Sequence, residues 1–231
     1  MKQYAKYPMP QLVEMFEQQL REDYIGWGYR RWIEEKAFGF GERCFLPMWK
    51  HLAAHLPEEC TFLEVGVFRG QILGWMGMMA QRMDLDMIRL GITPLDSTDG
   101  HWESDYEADI AHLHDTFGIP KTYQLIKGRS DDPRVMESAK GMRFDAVYID
   151  GGHSYEVVKS DLEFYPRLVK PGGYLVIDDC NNSIDMPDGY FRGILSVSKA
   201  VDERFPPYTP SDEWELVLNL VHNRILRKKS A

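Results

Sequence analysis

The sequence predicts an α/β fold with a mostly parallel sheet, and residues 144–179 give the clearest indication of it. An apolar run, Phe144–Ile149, ends at an aspartate, and a second run, 174–177, ends at two more. Short runs rich in Val, Ile, Leu and Tyr that stop at polar groups are typical of buried parallel strands. The segment between them has helical spacing and ends in Lys-Pro-Gly-Gly, a helix stop and turn. This pattern predicts one βαβ unit with carboxylates at the carboxyl ends of both strands, where open α/β sheets bind ligands.

Residues 1–56 are predicted to form a helical cap, and residues 57–231 a single compact unit that contains the sheet. Apolar residues recur at helical spacing over 11–20 and again over 45–56. Between these stripes lie four aromatic residues, Tyr24, Trp27, Tyr29 and Trp32. They are expected to pack the cap on the sheet, with a substrate-pocket wall or a dimer contact as the alternative.

The first strand is predicted at 61–65, before a glycine turn and a helix over Gln71–Met83. The turn, with Glu64, Gly66 and Gly70, lets the backbone approach a ligand closely and points helix N–H groups at it. It lacks the full GxGxxG of dinucleotide sites. Glu64 would repel a pyrophosphate and accept hydrogen bonds from a cationic or hydroxylated group, which favours a nucleoside without phosphates.

The second strand is predicted at 87–92, and in nucleotide-binding sheets its end carries an acid for the ribose hydroxyls. Thr93 occupies that position, and Asp96 follows slightly later. Residues 97–119 are acidic and predict one short solvated helix, with His101 and Trp102 as lid candidates. Histidines at 112 and 114 do not share a helix face and predict no metal site.

The remaining elements are predicted in alternation up to a closing hairpin. A third strand, Tyr123–Lys127, leads through Ser130 to a helix that starts near Pro133. After the 144–179 stretch come a polar loop at 180–193 that covers the strand ends and a helix at 194–205. Two runs, Trp214–Leu220 and 224–228, predict an antiparallel hairpin.

Composition narrows the classes of partner. The 231 residues carry a formal net charge of −9, so the chain lacks the basic footprint that nucleic acids and anionic membranes require. Cys44, Cys60 and Cys180 are far apart and without metal-ligand spacing. They predict reduced thiols in a cytoplasmic protein. No apolar run reaches the length of a membrane span.

Asp150, Asp178 and Asp179 are expected to converge. Carboxylates brought together raise one another's pKa unless a cation lies among them. Oxygen ligands favour a hard divalent ion, Mg²⁺ first, with Ca²⁺ or Mn²⁺ possible. His153, three residues after Asp150, can take a proton from a hydroxyl beside that ion. The structural alternatives are that His153 caps the next helix and that the acid pair only ends a strand and bonds the loop.

These motifs, EVGVFRG, LIKGRS, FDAVYIDGGHSYE and VKPGGYLVIDD, together resemble a class I S-adenosylmethionine-dependent methyltransferase from about residue 56 onward. Within that superfamily the chain is similar to small metal-dependent O-methyltransferases of catechol, macrocin and cephalosporin-hydroxylase-like types. The resemblance implies a Rossmann-like methyltransferase fold, a seven-stranded mostly parallel sheet with a closing antiparallel hairpin.

The resemblance also implies a cofactor site for S-adenosylmethionine. Glu64, Gly66 and Gly70 would line its methionine part, with Asp150 nearby, and Ser130 would lie near the adenine. Thr93 or Asp96 would contact the ribose, but Thr93 departs from the acid usual in the family.

By the same resemblance, Asp150, Asp178 and Asp179 would hold the metal. His153 occupies the position of the catalytic lysine of catechol-type enzymes. An Asp-Asp pair instead of Asp-Asn brings the chain closer to the sugar-modifying branch.

The implied function is methyl transfer from S-adenosylmethionine to a hydroxyl of a small molecule, a sugar, a phenol or another natural product. The alternatives are other metal-assisted chemistry on the same fold, such as hydroxylation or decarboxylation, and a nucleoside-binding protein without catalysis. The exposed aromatics make a homodimer plausible.

Overall fold

The structure is a computed structural model that describes residues 1–94, 105–209 and 211–230. Its described residues form one seven-stranded sheet, as predicted. The strands are β1 Glu59–Val65, β2 Asp86–Thr93, β3 Tyr123–Lys127, β4 Phe144–Ile149, β5 Val169–Ile177, β6 Trp214–Leu220 and β7 Asn223–Lys228.

Eight α-helices lie among the described residues, and three of them precede the sheet. They are α1 Met9–Glu22, α2 Tyr24–Lys36, α3 Phe45–Ala53, α4 Gln71–Met83, α5 Tyr106–Phe117, α6 Pro133–Ala139, α7 Tyr155–Phe164 and α8 Leu195–Arg204. None of the described helices combines the length and apolar character needed to span a membrane.

The strand order is β3-β2-β1-β4-β5-β7-β6, with β1 to β5 parallel and β7 antiparallel to both β5 and β6. The predicted closing hairpin is therefore confirmed. Strand order reverses between β1 and β4, and ligands of open α/β sheets bind at the carboxyl side of such a switch point.

Backbone hydrogen bonds bring the predicted site residues to one edge of the sheet. The N–H of Gly66 donates to Ile92 O at 2.8 Å, and the N–H of Asp150 donates to Val65 O at 2.8 Å. The N–H of Asp178 donates to the carbonyl at the end of β4 at 3.0 Å. The glycine turn and the acids therefore lie next to each other at the carboxyl ends of neighbouring strands.

Helices cover both faces of the sheet, and side-chain alternation divides the core between them. Phe62 of β1 belongs to the apolar cluster beneath the N-terminal helices, and Leu63 to the cluster beneath α6, α7 and α8. Trp49 of α3 packs edge-on against Phe62 and against Tyr148 of β4. The predicted helical cap therefore covers one face, while the domain boundary at residue 56 stays a prediction.

Two local predictions need correction. The Lys-Pro-Gly-Gly segment lies within β5 rather than between helix and strand, because β5 begins at Val169 and shifts its register against β4 there. Helix α5 forms as predicted but is not wholly solvated. Its His114 is buried and lies 2.9 Å from a guanidinium nitrogen of Arg89.

Candidate functional site

A cavity of about 380 Å³ opens at the carboxyl ends of β1, β4 and β5. Its walls come from the glycine turn after β1, the residues after β4 and β5, loop 39–42 with the start of α3, and the β6–β7 turn. Small-molecule sites commonly measure roughly 300–1,000 Å³. The cavity therefore has the size of a small-molecule site and lies where the fold predicts one.

The glycine turn brings the backbone after β1 against the backbone after β4. Gly66 has φ +96°, a conformation that L side chains rarely adopt, and an added Cβ would overlap the carbonyl of Asp150. Gly70, with φ +92°, forms the N-cap of α4 but does not line the cavity. Only glycine fits at position 66, so this approach is built into the sequence.

Glu64 is a buried carboxyl group on the cavity wall. It is 2% exposed, and its Oε2 has no hydrogen-bond partner among the described residues. Burial, and after it the charge of Asp150, raises the pKa of Glu64 well above its ordinary value. A buried acceptor of this kind is costly unless a ligand supplies a donor or a cation.

Two of the predicted ribose and adenine contacts, Thr93 and Ser130, are not among the residues that line the cavity. Thr93 ends β2 and is 2% exposed. Ser130 donates its hydroxyl to Asp161 Oδ2 at 2.9 Å, and neither residue lines the cavity. Asp96 lies outside the described residues, as do the lid candidates His101 and Trp102.

Asp178, Asp179 and His222 form a compact group of possible metal ligands. The imidazole Nδ1 of His222 lies 2.7 Å from Asp178 Oδ1 and 3.0 Å from Asp179 Oδ1. One ligand atom from each of the three lies within 4.8 Å of the others. Two carboxylates and an imidazole at this spacing can hold a divalent metal ion.

Electrostatics link His222 to the acid pair. Burial would lower the pKa of His222, but its hydrogen bonds with Asp178 and Asp179 override burial and raise that pKa to about 10. Burial would also raise the pKa of Asp178, but the bonds from His222 and Tyr148 hold it below its ordinary value. The two carboxylates therefore favour a proton on His222, and a metal ion bound at the same nitrogen would take the place of that proton.

Asp150 joins this group through a tyrosine. The hydroxyl of Tyr148 lies 3.1 Å from Asp150 Oδ2 and 2.6 Å from Asp178 Oδ2, and its single hydrogen can be donated to one of them at a time. Burial, and then the charge of Asp178, raises the pKa of Asp150. The three predicted metal aspartates thus share one site, with Asp150 at its margin.

His153 stands over the acids at the mouth of the cavity. Its Nε2 lies 3.8 Å from Asp150 Oδ1 and 3.6 Å from Asp179 Oδ2, and its side chain is 50% exposed. The pairing with Asp150 raises the pKa of His153. Ser154, not His153, is the N-cap of α7. The ring is therefore available to exchange protons between the cavity and solvent.

Two residues of the site were missed by sequence reasoning. Tyr148 could have been found, because strand alternation puts it on the same side of the chain as Asp150, two residues later. His222 carried no such signal, since it follows Asp150 by 72 positions and lies between the two runs of the predicted hairpin. Only the pairing of β7 with β5 brings that turn to the acids.

The aromatic wall of the cavity comes from other residues than expected. Phe40, Phe45 and Trp49 line the cavity. None of the four aromatics between 24 and 32 does. Tyr29 is fully buried, and its hydroxyl donates to Gln71 O, while Tyr24 is 89% exposed and remote from this cavity.

Loop 180–193 is fastened at its base beside the acids and contributes Phe191 to the wall. The N–H of Ile194 donates to Asp179 O at 2.9 Å, and the N–H of Asn181 donates to Arg192 O at 3.0 Å. Gly193, with φ +98°, has no room for a side chain, because a Cβ would overlap the backbone of Asp179. Asp179 and its loop are therefore positioned together.

Comparisons with known structures show the fold. A Staphylococcus aureus protein described as a caffeoyl-CoA O-methyltransferase aligns with a TM-score of 0.65 and 15% identity over 96% of this chain and 99% of its own. The TDP-rhamnose 3'-O-methyltransferase of calicheamicin biosynthesis aligns with a TM-score of 0.57 and 16% identity, over 94% of this chain and 93% of its own.

Sequence comparisons show the family. An uncharacterized protein of Acanthamoeba polyphaga mimivirus is 28% identical over 153 residues, which are 64% of this chain and only 65% of that relative's length. The model of a methyltransferase domain matches residues 63–180, half of the chain, from β1 to the residue after the acid pair. The resemblance drawn from the sequence motifs is thereby confirmed, and the chain belongs to this methyltransferase-domain family.

Proposed function

We propose that the protein transfers a methyl group from S-adenosylmethionine to a hydroxyl of a small molecule, with a hard divalent cation such as Mg²⁺ at the acid cluster. The observation that carries the proposal is that one cavity contains both the glycine turn of the family and the acids with His153. A donor and an acceptor can therefore meet in it.

The residues of the glycine turn fit the cofactor. Glu64 is a buried acid without a partner for Oε2 among the described residues, and the ammonium group of a methionine moiety supplies the cation that it lacks. The backbone at Gly66 gives the close approach. When bound, the cofactor supplies an electrophilic methyl group, whose carbon–sulfur bond breaks as the bond to the acceptor oxygen forms.

The acid cluster fits a divalent cation. Asp178 and Asp179 present carboxylate oxygens within 3.0 Å of the imidazole nitrogen of His222. The hydroxyl of Tyr148 lies between Asp150 and Asp178 and connects the third carboxylate to this pair. When bound, the ion supplies positive charge that lowers the pKa of a neighbouring hydroxyl. Tyr148 keeps two of the carboxylates oriented.

His153 is the proton acceptor in this proposal. It faces the acids at the cavity mouth, where a half-exposed ring can take the proton of the acceptor hydroxyl and release it to water. Asp150, the neighbour that raises its pKa, favours the imidazolium that forms. Phe40, Phe45 and Trp49 contribute apolar surface to the cavity wall.

The acceptor is proposed to be a hydroxylated small molecule, a sugar, a phenol or another natural product, in line with the motif resemblance. The wall residues favour a ligand with an apolar face next to its hydroxyl, since Phe40, Phe45 and Trp49 line the same cavity as the acids.

Incubation with labelled S-adenosylmethionine and a panel of hydroxylated acceptors, with and without EDTA, tests the proposal. We expect labelled ether products that disappear with EDTA and return when Mg²⁺ is added. Asp150→Asn and His153→Ala should each lower the rate by about 100-fold or more. Full activity in EDTA would remove the metal from the proposal, and full activity of His153→Ala would remove the base. Turnover of an acceptor without a methylated product would favour the alternative chemistry, such as hydroxylation.

A further inference from the structure

We infer that His222 is a direct metal ligand, so that the site is an oxygen–nitrogen site that prefers a divalent transition metal, such as Co²⁺ or Zn²⁺, to Mg²⁺. The inference deepens the metal part of the proposed function and rests on it. The motif resemblance supplies only aspartates for the metal; the imidazole comes from the β6–β7 turn of this chain.

The distances match those between ligands of a single ion. Ligand atoms at neighbouring positions of an octahedral ion with bonds of about 2.1 Å lie about 3 Å apart. His222 Nδ1 lies 3.0 Å from Asp179 Oδ1 and 2.7 Å from Asp178 Oδ1. All three side chains line the same cavity, so an ion reaching the carboxylates also meets the imidazole.

The fold holds the ring in this orientation. The backbone carbonyl of His222 accepts the N–H of Cys180 at 2.9 Å, which ties the hairpin turn to the residue after Asp179. Phe45 and Phe191 pack edge-on against the imidazole, with ring centroids 4.7 and 5.1 Å away. The side chain is 5% exposed, so few other rotamers are open to it.

The backbone beside the ring is held in an unusual conformation. Val221 has φ +49° and Asp179 has φ +54°, a backbone region that is strained for a residue other than glycine. Both residues lie next to or within the group of Asp178, Asp179 and His222, so the strained backbone helps to set the positions of these side chains.

The donor set decides the metal preference. Mg²⁺ is bound through oxygen and keeps several waters, whereas imidazole suits Zn²⁺, Fe²⁺ and other transition metals. A nitrogen that already lies within ligand distance of both carboxylates adds affinity for those metals and little for Mg²⁺. Removing the imidazole should therefore reduce the difference in binding affinity between Co²⁺ and Mg²⁺.

The test uses metals alone with the full chain. Mn²⁺ bound to the protein should show ¹⁴N coupling in pulsed electron paramagnetic resonance, and labelling with ¹⁵N-histidine should change that signal. His222→Gln, which keeps a hydrogen-bond donor beside the carboxylates, should abolish the coupling and lower the Co²⁺ to Mg²⁺ affinity ratio by about tenfold or more. The matched variant His153→Gln should keep both.

Each other outcome overturns the inference. One such outcome is that Mn²⁺ binds without histidine coupling. A second is that the coupling is lost in His153→Gln but kept in His222→Gln, and a third is that Mn²⁺ does not bind at all. If His222→Gln fails to fold, histidine coupling that persists in His153→Gln still assigns the ligand, because His153 and His222 are the two histidines of the described residues that line the cavity. Methyl transfer is measured separately. Histidine coupling without methylated product would contradict the proposed function alone, and methyl transfer without coupling would contradict this inference alone.

Discussion

Tyr148 is the residue through which the acids of β4 and β5 are connected. It is 3% exposed, its hydroxyl lies between Asp150 and Asp178, and Trp49 packs against its ring. Residues that orient metal ligands commonly matter nearly as much for affinity as the ligands themselves. Tyr148 is therefore a positioning residue rather than a catalytic one.

We expect Tyr148→Phe to weaken divalent-metal binding by about 10- to 100-fold, because the hydroxyl that orients Asp178 is lost. Calorimetric titration with Mn²⁺ measures this. Tyr165→Phe is the matched control, since Tyr165 is equally buried and its hydroxyl donates to Ser130 O at 2.8 Å, away from the acids. Equal metal affinity of wild type and Tyr148→Phe would contradict the positioning role.

A site residue could be predicted from the sequence when its position followed from the residues next to it in the chain. Asp150 and the acid pair could be predicted because each follows an apolar run, and the end of a parallel strand has one location in the sheet. His222 could not, because its position depends on which strand the last hairpin pairs with. Nor could the wall residues Phe40 and Phe45, because their place depends on how the cap sits on the sheet.

Among the elements, loop 180–193 is the one whose anchoring bears most directly on the site. Its base is closed by the pairing of Cys180 with Gly193 and by the bond from Ile194 to Asp179. The backbone of Asp179 therefore depends on the absence of a side chain at position 193.

We expect Gly193→Ala to lower metal affinity by about tenfold or more, because the new Cβ displaces the backbone of Asp179. Gly189→Ala in the same loop is the control. Gly189 also has a positive φ, +93°, but nothing lies within 4 Å of an added Cβ. Its substitution therefore introduces backbone strain of about 1–2 kcal/mol without a steric clash. Thermal unfolding and Mn²⁺ titration of both variants separate the two effects. Similar metal affinities in the two variants would refute the steric explanation.

Helix α2 begins at a charged junction within the cap. Asp23 is its N-cap, accepts the N–H of Gly26, and pairs with Lys50 at 2.8 Å and Arg82 at 2.9 Å. Burial would raise the pKa of Asp23, but the bonds from Arg82 and Lys50 lower it to about 2 from an ordinary value of 3.8. The carboxylate therefore ties α2 to α3 and α4.

A lowered pKa in the folded state means that the stabilisation is present above pH 3.8 and is lost as the pH falls toward 2. Wild type should exceed Asp23→Asn by about 2 kcal/mol in free energy of unfolding at pH 7, and the difference should shrink below pH 4. Urea unfolding at several pH values measures it. Asp115→Asn, which breaks an exposed pair with Lys121, should cost less than about 1 kcal/mol. A wild-type advantage that stays constant down to pH 2 would contradict the assignment.

At the scale of the whole molecule, charge constrains the choice of substrate. With a formal net charge of −9, we expect the protein to repel polyanions, whose binding depends on Lys and Arg that release counterions. We therefore expect no methyl transfer to RNA. Incubation of total RNA with labelled S-adenosylmethionine, beside the small-acceptor panel as positive control, measures this. Nuclease-sensitive label would contradict it.

The mostly parallel sheet and the closing hairpin were predictable at this scale because of particular signals. Runs such as Phe144–Ile149 are too apolar for a half-exposed strand, and the run Trp214–Leu220 is followed at once by a second one. The register of β5 was not predictable, since Val169 joins the sheet before the Lys-Pro-Gly-Gly segment that normally ends an element. A homodimer and a cytoplasmic location stay predictions.

The fastened base of loop 180–193 has a consequence for how this protein can change over generations. Because both ends are bonded beside Asp179, the intervening chain can lengthen, shorten or change composition without moving the acids. Closing a loop twice as long costs only about 0.6 kcal/mol. New acceptors can thus be acquired by changing the exposed residues of this loop, such as Ser183, Pro187 and Phe191, while the acids beside its base stay in place.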